Sequence, residues 1–509
     1  MDTIAIVDFG GQYSHLIGRR IRDIGVFAKI FPADVTATEL REVQALKGVI
    51  FSGGASSVYE ENAPDPDPEL VNLNLPVLGI CYGHQLIAQL CGGRVDSGEA
   101  GEYGTTVFSI TREASKLLNG FNPTQEVWMN HSDTVTDMPA DFKIIGKTKN
   151  SPVAAFANTE RGLFGVQFHP EVTHTEQGNL VLKNFATEIC NASRKWDPSN
   201  LVTSIINNAK SFIGDRKAII GLSGGVDSST AARIVAKAID NNLTAVYVDT
   251  GLMRKGETSS IINGFSESRL NLKIVDAKER FLSNLSGVKD PEEKRKIIGK
   301  TFIDSFTKVA SDLGAEVLIQ GTIYSDRIES GVTTHSDTIK SHHNVGGIPE
   351  KIDLDIYEPL RDLYKDEVRR IASELNLPDE IVNRHVFPGP GLAIRIVGEV
   401  TPERVEIVRD ASYIVEQQLR EANLYNEVWM AFAVLLPIKS VGVQGDTRSY
   451  RYPVAVRVVE SQDAMTANFA QIPYPVLEDI STKITNEIPE VNRVVYDISN
   501  KPPSTMEWE

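Results

Sequence analysis

The sequence is poor in cysteine, in long apolar runs and in positive charge. Its 509 residues include three cysteines, Cys81, Cys91 and Cys190, too few for a disulfide framework and with no CxxC pair among them. That usage fits a reducing, cytoplasmic setting and leaves room for one reactive thiol. No stretch approaches the roughly 20 apolar residues of a membrane span, so no membrane partner is expected. The start, Met1-Asp2-Thr3-Ile4-Ala5-Ile6-Val7-Asp8, has no basic region followed by an apolar one and does not read as a signal peptide. The formal net charge is −16, with no block of Lys and Arg. This excludes nucleic acid as an expected partner, because phosphate backbones call for a basic face. Small anionic substrates need only a few local donors and stay possible.

What is present is an alternation of short β-branched runs with helical patterns. Ile4–Asp8, Gly48–Ser52, Val77–Ile80 and Gly165–Phe168 read as strands, with helices over 14–24 and 85–91. A polar stretch over 191–200 separates this block from a second series, which opens at Ala218–Gly221 and continues through Ala245–Asp249, Lys273–Val275 and Val317–Gln320. The expected fold class is α/β, two doubly wound parallel-sheet domains in tandem (residues 1–190 and 191–383). From about residue 384 a Gly/Pro turn, a helix over 403–421 and alternating strands predict a small α+β domain over 384–509.

Three segments carry chemistry. Pro76-Val-Leu-Gly-Ile-Cys-Tyr-Gly-His-Gln85 is an apolar strand running into a helix, with Cys81 at the corner between Gly79 and Gly83. Small neighbours allow a tight elbow, and a helix N-terminus favours a thiolate. Gly165-Val-Gln-Phe-His-Pro-Glu171 places His169 and Glu171 two apart in an extended stretch, so they can project together. Cys, His and an orienting carboxylate suit nucleophilic attack on an amide. Backbone N–H groups of Gly53, Gly54 and Tyr82 could form an oxyanion hole, although a plain glycine turn after the strand ending at Ser52 explains the glycines equally well.

The second segment, Gly221-Leu-Ser-Gly-Gly-Val-Asp-Ser-Ser229, runs from strand through glycine turn to helix. Ser223, Gly224, Gly225, Ser228 and Ser229 supply N–H groups and hydroxyls at a helix N-terminus, an anion site. It lacks the lysine of GxxxxGK[ST] and is not that phosphate loop. Asp249 closes the next strand and reads equally as a ligand or a helix cap. Gln320 and Gly321 end a further strand in a turn. Adjacent His342 and His343 rarely converge on one metal, and the glycines after them suit a lid. The third segment is the tail from Asp497 to Glu509, stiffened by two prolines around Lys501.

These segments resemble known families. Residues 1–190 are similar to class I glutamine amidotransferases, and SGGVDSS resembles the pyrophosphate-binding loop of the ATP pyrophosphatases. KPPSTMEWE, FPGPGLAIR (Phe387–Arg395) and GVQGDTR (Gly442–Arg448) resemble the dimerisation domain of the GMP synthetase family, so the resemblance spans the chain. It implies Cys81 as nucleophile, His169 as base and Glu171 as its orienter, with Gln85, Asn130, His131, Ser132 and Asp133 holding glutamine. It implies Gly221, Ser223–Ser229 (Val226 included) and Gln320–Gly321 around ATP, Val248 and Leu252 flanking adenine, and Asp227 on Mg²⁺. Lys340, His342 and His343 would belong to a lid. Pro388, Gly389, Pro390, Lys501, Thr505 and Glu507 would bind XMP. A homodimer through the third domain and the substrates glutamine, ATP and XMP follow from the same likeness. His84 stands where the family usually has Met, Ala55 where Pro is common, and Met506 where Ile is usual.

Overall fold

The computed structural model describes residues 1–111, 115–265, 270–324, 326, 354–444, 446–461 and 466–509. The described chain forms two compact units, one over residues 1–197 and the other running from residue 198 to 509. The lid candidates Lys340, His342 and His343 lie outside the described residues.

The first unit is built on a nine-stranded sheet in the order β2-β1-β3-β4-β9-β8-β7-β5-β6. The strands are β1 Thr3–Phe9, β2 Phe27–Pro32, β3 Leu46–Gly54, β4 Val77–Ile80, β5 Arg94–Ile110, β6 Thr124–Asp137, β7 Lys143–Lys147, β8 Ala155–Asn158 and β9 Leu163–Val166. Strands β2, β1, β3, β4 and β9 pair in parallel, and the rest are antiparallel. Ile4 and Ile6 of β1 enter one core while Ala5 and Val7 enter another on the opposite face. Apolar residues at every position mark a strand covered on both sides.

The expectation of a parallel sheet is therefore corrected to a mixed one. The long β5–β6 hairpin was not anticipated. Along β6 buried and exposed residues alternate, and its polar, half-solvated composition hides a strand from any search for apolar runs.

In the second unit β10 Ala218–Gly221, β11 Leu243–Asp249, β12 Asn271–Asp276, β13 Val317–Ile319 and β14 Asp355–Tyr357 form an all-parallel sheet in the order β12-β11-β10-β13-β14. A further sheet holds β15 Met430–Leu435, β16 Ser440–Gln444, β17 Thr447–Glu460, β18 Asn468–Phe469 and β19 Val491–Tyr496, mostly antiparallel around β17. One core joins Ile219 and Val246 of the first sheet to Leu392, Val408, Val456 and Val491 of the second region.

The longest helix among the described residues, Pro291–Leu313, has clear local causes. Asp290 caps it by accepting the N–H of Glu293 at 2.8 Å, Pro291 opens it, and Gly314 closes it in a left-handed conformation. Among the described residues no helix is long and apolar enough to cross a membrane.

Candidate active site

Strand β4 ends at Ile80, and Cys81 turns the chain into the helix Tyr82–Leu90 with φ 53° and ψ −104°. A residue with a side chain is strained there. Close packing enforces it: a Cβ on Gly79 would strike the backbone of Gly83, and one on Gly83 would strike the carbonyl of Phe51. The elbow thus holds the Cys81 sulfur at the N-terminus of a nine-residue helix, where the helix dipole favours negative charge.

Beyond β9 the chain bends at Pro170 and brings His169 Nδ1 to 2.7 Å from Oε1 of Glu171. Both residues are buried. The corner is pinned from several sides: His169 N–H donates to the Trp128 carbonyl at 3.0 Å and Thr175 Oγ1 to the His169 carbonyl at 2.8 Å. Arg20 Nε donates to the Glu171 carbonyl at 3.0 Å, and the Tyr13 ring stands edge-on to His169 with centroids 5.4 Å apart. Burial alone would push the imidazole pKa down. The charge of Glu171, with Cys81 beside it, more than offsets this and raises it well above the usual histidine value. Gly53 sits opposite, and a Cβ there would meet His169 Cε1 at 3.2 Å and the Cys81 Cβ at 3.8 Å. Gly54 packs under the Tyr82 ring, and Tyr82 is the first residue of the helix.

The segment Asn130–Asp133 lies on β6 beside this corner. The Asn130 carbonyl is 3.7 Å from Cys81 Sγ, with the Asn130 and Ser132 side chains exposed and His131 and Asp133 buried. Gln85 Nε2 donates to the Asp133 carbonyl at 2.8 Å, and the Tyr59 hydroxyl donates to Asp133 Oδ1 at 2.9 Å. His131 joins a buried cluster: Nδ1 is 2.8 Å from the Asp133 carbonyl and Nε2 is 3.3 Å from Glu102, which also accepts from Thr148 and Ser151.

In the second unit β10 delivers the chain at Gly221 to a loop that enters the helix Val226–Ile239 at Gly225. Gly224 has φ 75°. Gly225 N–H donates to Ser223 Oγ at 3.3 Å, and Ser228 Oγ donates to the Gly225 carbonyl at 3.3 Å. Gly321 approaches the same helix start, where a Cβ would meet Ser228 N at 3.0 Å, and Gln320 N–H donates to the Tyr357 carbonyl at 3.0 Å.

Asp227 pairs with Lys365 through Oδ2, while its Oδ1 and the hydroxyl of Ser229 are buried with no partner among the described residues. Such a carboxylate oxygen at a glycine-rich helix start fits a hard divalent cation such as Mg²⁺. Arg384 holds the loop from behind, with Nη1 2.6 Å from the Gly224 carbonyl and Nη2 2.6 Å from buried Glu257. Asp249 accepts from Gly251 N–H at 3.0 Å and Thr258 Oγ1 at 2.9 Å and lies 3.2 Å from Lys278 Nζ, so it organises the loop after β11. Val248 and Leu252 are both buried, and Leu252 packs on Gly391.

The turn Pro388-Gly389-Pro390 closes with the Gly391 N–H on the Pro388 carbonyl at 2.9 Å. Ahead of it the Phe387 ring meets the guanidinium groups of Arg254 and Arg395, at 4.5 and 5.0 Å from its centroid. Buried Arg395 grips Glu507 with two bonds, at 2.8 and 3.1 Å. Buried Arg457 donates to the carbonyls of Ser499, Thr505 and Met506 and to Asp497, fixing the tail. Lys501 forms a two-way backbone bridge with Ala467, and the Thr505 hydroxyl donates to the Glu507 carbonyl.

Family models for class I glutamine amidotransferase, NAD synthase and the GMP synthase C-terminal domain match residues 5–189, 199–296 and 417–508. A glutamine-hydrolysing GMP synthase from Caldanaerobacter subterraneus subsp. tengcongensis is 50% identical over 510 residues, covering 100% of this chain and 99% of that protein. The chain belongs to the glutamine-hydrolysing GMP synthase family. The family member from Geobacillus kaustophilus is also 50% identical, over 100% of this chain and 99% of its own. That from Thermosynechococcus vestitus is 50% identical over 99% and 96%. Among solved structures, a glutamine amidotransferase from Thermotoga maritima is 18% identical over 38% of this chain and 99% of its own, with a TM-score of 0.32.

Against this family background, four residues escaped the sequence reading. Lys365, Glu257 and Arg384 converge on the Ser223–Ser229 loop from positions far away in the chain, with no motif to mark them. Gln167 was within reach, since it lies two residues before His169 in the same segment. Its amide Nε2 is 3.7 Å from Cys81 Sγ.

Proposed function

We propose that the two units divide the family's reaction between them: glutamine gives ammonia in the first, and ATP activates XMP for amination in the second. The balance is ATP + XMP + glutamine + water → AMP + pyrophosphate + GMP + glutamate. The observation that carries the first half is Cys81 on a strained elbow, facing His169 with Glu171 2.7 Å behind it. Cys81 sulfur attacks the amide carbon of glutamine, His169 delivers a proton to the departing nitrogen, and water then cleaves the thioester with His169 as base. The N–H groups of Gly53, Gly54 and Tyr82 would form the oxyanion hole, a reading supported by the closeness of Gly53 to His169 and Cys81. Gln85, Asn130, His131, Ser132 and Asp133 would hold glutamine, a reading supported by their position beside Cys81.

In the second half the loop Ser223–Ser229, with Gly221, Val226, Gln320 and Gly321, would grip the β- and γ-phosphates while the XMP 2-oxygen attacks the α-phosphorus. Val248 and Leu252 mark the adenine side. Pyrophosphate leaves, and ammonia then displaces AMP to give GMP. Asp227, with its unpartnered oxygen, would hold Mg²⁺, which neutralises phosphate charge when bound. Pro388, Gly389, Pro390, Lys501, Thr505 and Glu507 are the proposed XMP contacts, and Lys340, His342 and His343 the proposed lid.

Functional boundaries at residues 190 and 383, cytoplasmic placement and a homodimer complete the proposal. The dimer is favoured by exposed Val441, Val443 and Tyr450, which share one face of the β16–β17 hairpin. A single experiment tests the division. Cys81→Ala should abolish glutamine-dependent GMP formation and keep formation from ammonium, Mg-ATP and XMP. Survival of the glutamine-dependent activity would remove Cys81 from the reaction.

A further inference from the structure

A directional chain of side-chain amides ends on the sulfur of Cys81. The Asp133 carbonyl can only accept, so the Gln85 atom 2.8 Å from it must be the amino nitrogen Nε2. The same nitrogen lies 3.3 Å from the Gln167 side chain, which must therefore present its oxygen Oε1 to Gln85. This leaves the Gln167 amino nitrogen facing Cys81 Sγ at 3.7 Å. One backbone carbonyl thus fixes the orientation of two amides that could otherwise be flipped. His131, backed by Glu102, bonds the same Asp133 carbonyl and steadies the anchor. Gln167 is fully buried and Gln85 is 4% exposed, so the line lies in a low-dielectric interior where each bond is strengthened.

Besides His169, the sulfur has the Asn130 carbonyl near it, also at 3.7 Å. A neutral thiol can donate its proton there. A negative sulfur cannot, and would face that carbonyl dipole unfavourably. The Gln167 N–H is a donor that adds to His169: weak towards a thiol, and stronger once the sulfur carries charge.

We propose that Gln167 is a catalytic residue of the glutamine-hydrolysing half-reaction, an N–H donor that stabilises and aims the anionic sulfur of Cys81. It forms no covalent bond. When the sulfur attacks the amide carbon its charge passes to the substrate oxygen, and the Gln167 donor is released until the thioester is cleaved. The inference rests on Cys81 being the nucleophile, which the Cys81→Ala experiment tests separately.

The test uses the full chain and two substitutions, Gln167→Met and Gln167→Asn. Gln167→Met preserves length and removes the donor. It should lower kcat for glutamine about tenfold or more, leave KM for glutamine within about twofold, and slow iodoacetamide alkylation of Cys81 at neutral pH, with ammonium-dependent GMP formation unchanged. Gln167→Asn retains an amide on a shorter arm and should fall between Met and wild type. Wild-type kcat and alkylation rate in a folded Gln167→Met protein would overturn the proposal, as would a rise in KM alone. If Gln167→Met does not fold, Gln167→Asn decides: slowed alkylation with a lowered kcat supports the role, and wild-type values in both overturn it.

Discussion

The carboxylate of Glu171 is shared unequally: Oε1 lies 2.7 Å from His169 Nδ1, while Oε2 is buried with no partner among the described residues. A buried charge with one compensating group leans heavily on that group. This explains why His169 is pushed above its ordinary pKa despite its burial, and why the two residues act as one unit.

Glu171→Gln is expected to cut glutamine hydrolysis by roughly 10²–10⁴ while sparing ammonium-dependent synthesis, the range seen when a triad orienter is lost. The stability consequence has a definite sign. His169 is raised in the folded state, so the pair stabilises fully below the ordinary histidine value of 6.5, and this contribution fades as pH rises through the raised value. The melting-temperature gap between wild type and Glu171→Gln should be widest below pH 6.5 and shrink towards alkaline pH. A gap constant across that range would contradict the pairing.

His84 behaves in the opposite sense. It is fully buried, stacks on Phe156 with ring centroids 4.6 Å apart and has Nε2 3.0 Å from the Val153 carbonyl. Burial lowers its pKa to about 3, against the weaker opposing pull of that carbonyl. Between 6.5 and about 3 the unfolded chain takes up a proton that the folded chain refuses, so stability falls as pH drops, at up to roughly 1.4 kcal/mol per pH unit. Methionine cannot titrate. Thermal unfolding at pH 7 and pH 5 should show a smaller loss for His84→Met than for wild type, and equal losses would mean that His84 is not held neutral.

Gly224 is the sensitive point of the Ser223–Ser229 loop. It has φ 75°, and a Cβ there would meet Glu257 Oε1 and, at 2.8 Å, Arg384 Nη1. Gly224→Ala should therefore disrupt the ion pair behind the loop as well as strain the backbone by about 1–2 kcal/mol. XMP-dependent AMP formation from ATP and ammonium should fall at least tenfold, with basal glutamine hydrolysis retained. Loss of both activities together would point to general misfolding and reject this local account.

Legibility followed the range of the interactions involved. Strand β4 appears where its apolar run predicted, because a strand covered on both faces writes its burial into every residue. Gly79 and Gly83 announced the elbow, since only a missing Cβ permits the contact each makes. The β5–β6 hairpin escaped notice because one exposed face dilutes its pattern. Asp249 could be read as a ligand or a cap, and it proved to organise its own loop through Gly251, Thr258 and Lys278.

By itself the sequence determined the local devices: the thiol at a helix start, the His-Pro-Glu corner, the serine- and glycine-rich loop at Val226 and the stiffened tail. Each depends on backbone conformations that neighbouring residues dictate, so short segments suffice. Only the tertiary structure decided which distant groups complete those devices. Arg384 reaches the Gly224 carbonyl across 160 residues, and Gln167 lines up with Gln85 across 82 before meeting Cys81. Such contacts are set by how sheets and helices pack. Their energy lies in the burial of matched donors and acceptors, which no single stretch of chain contains.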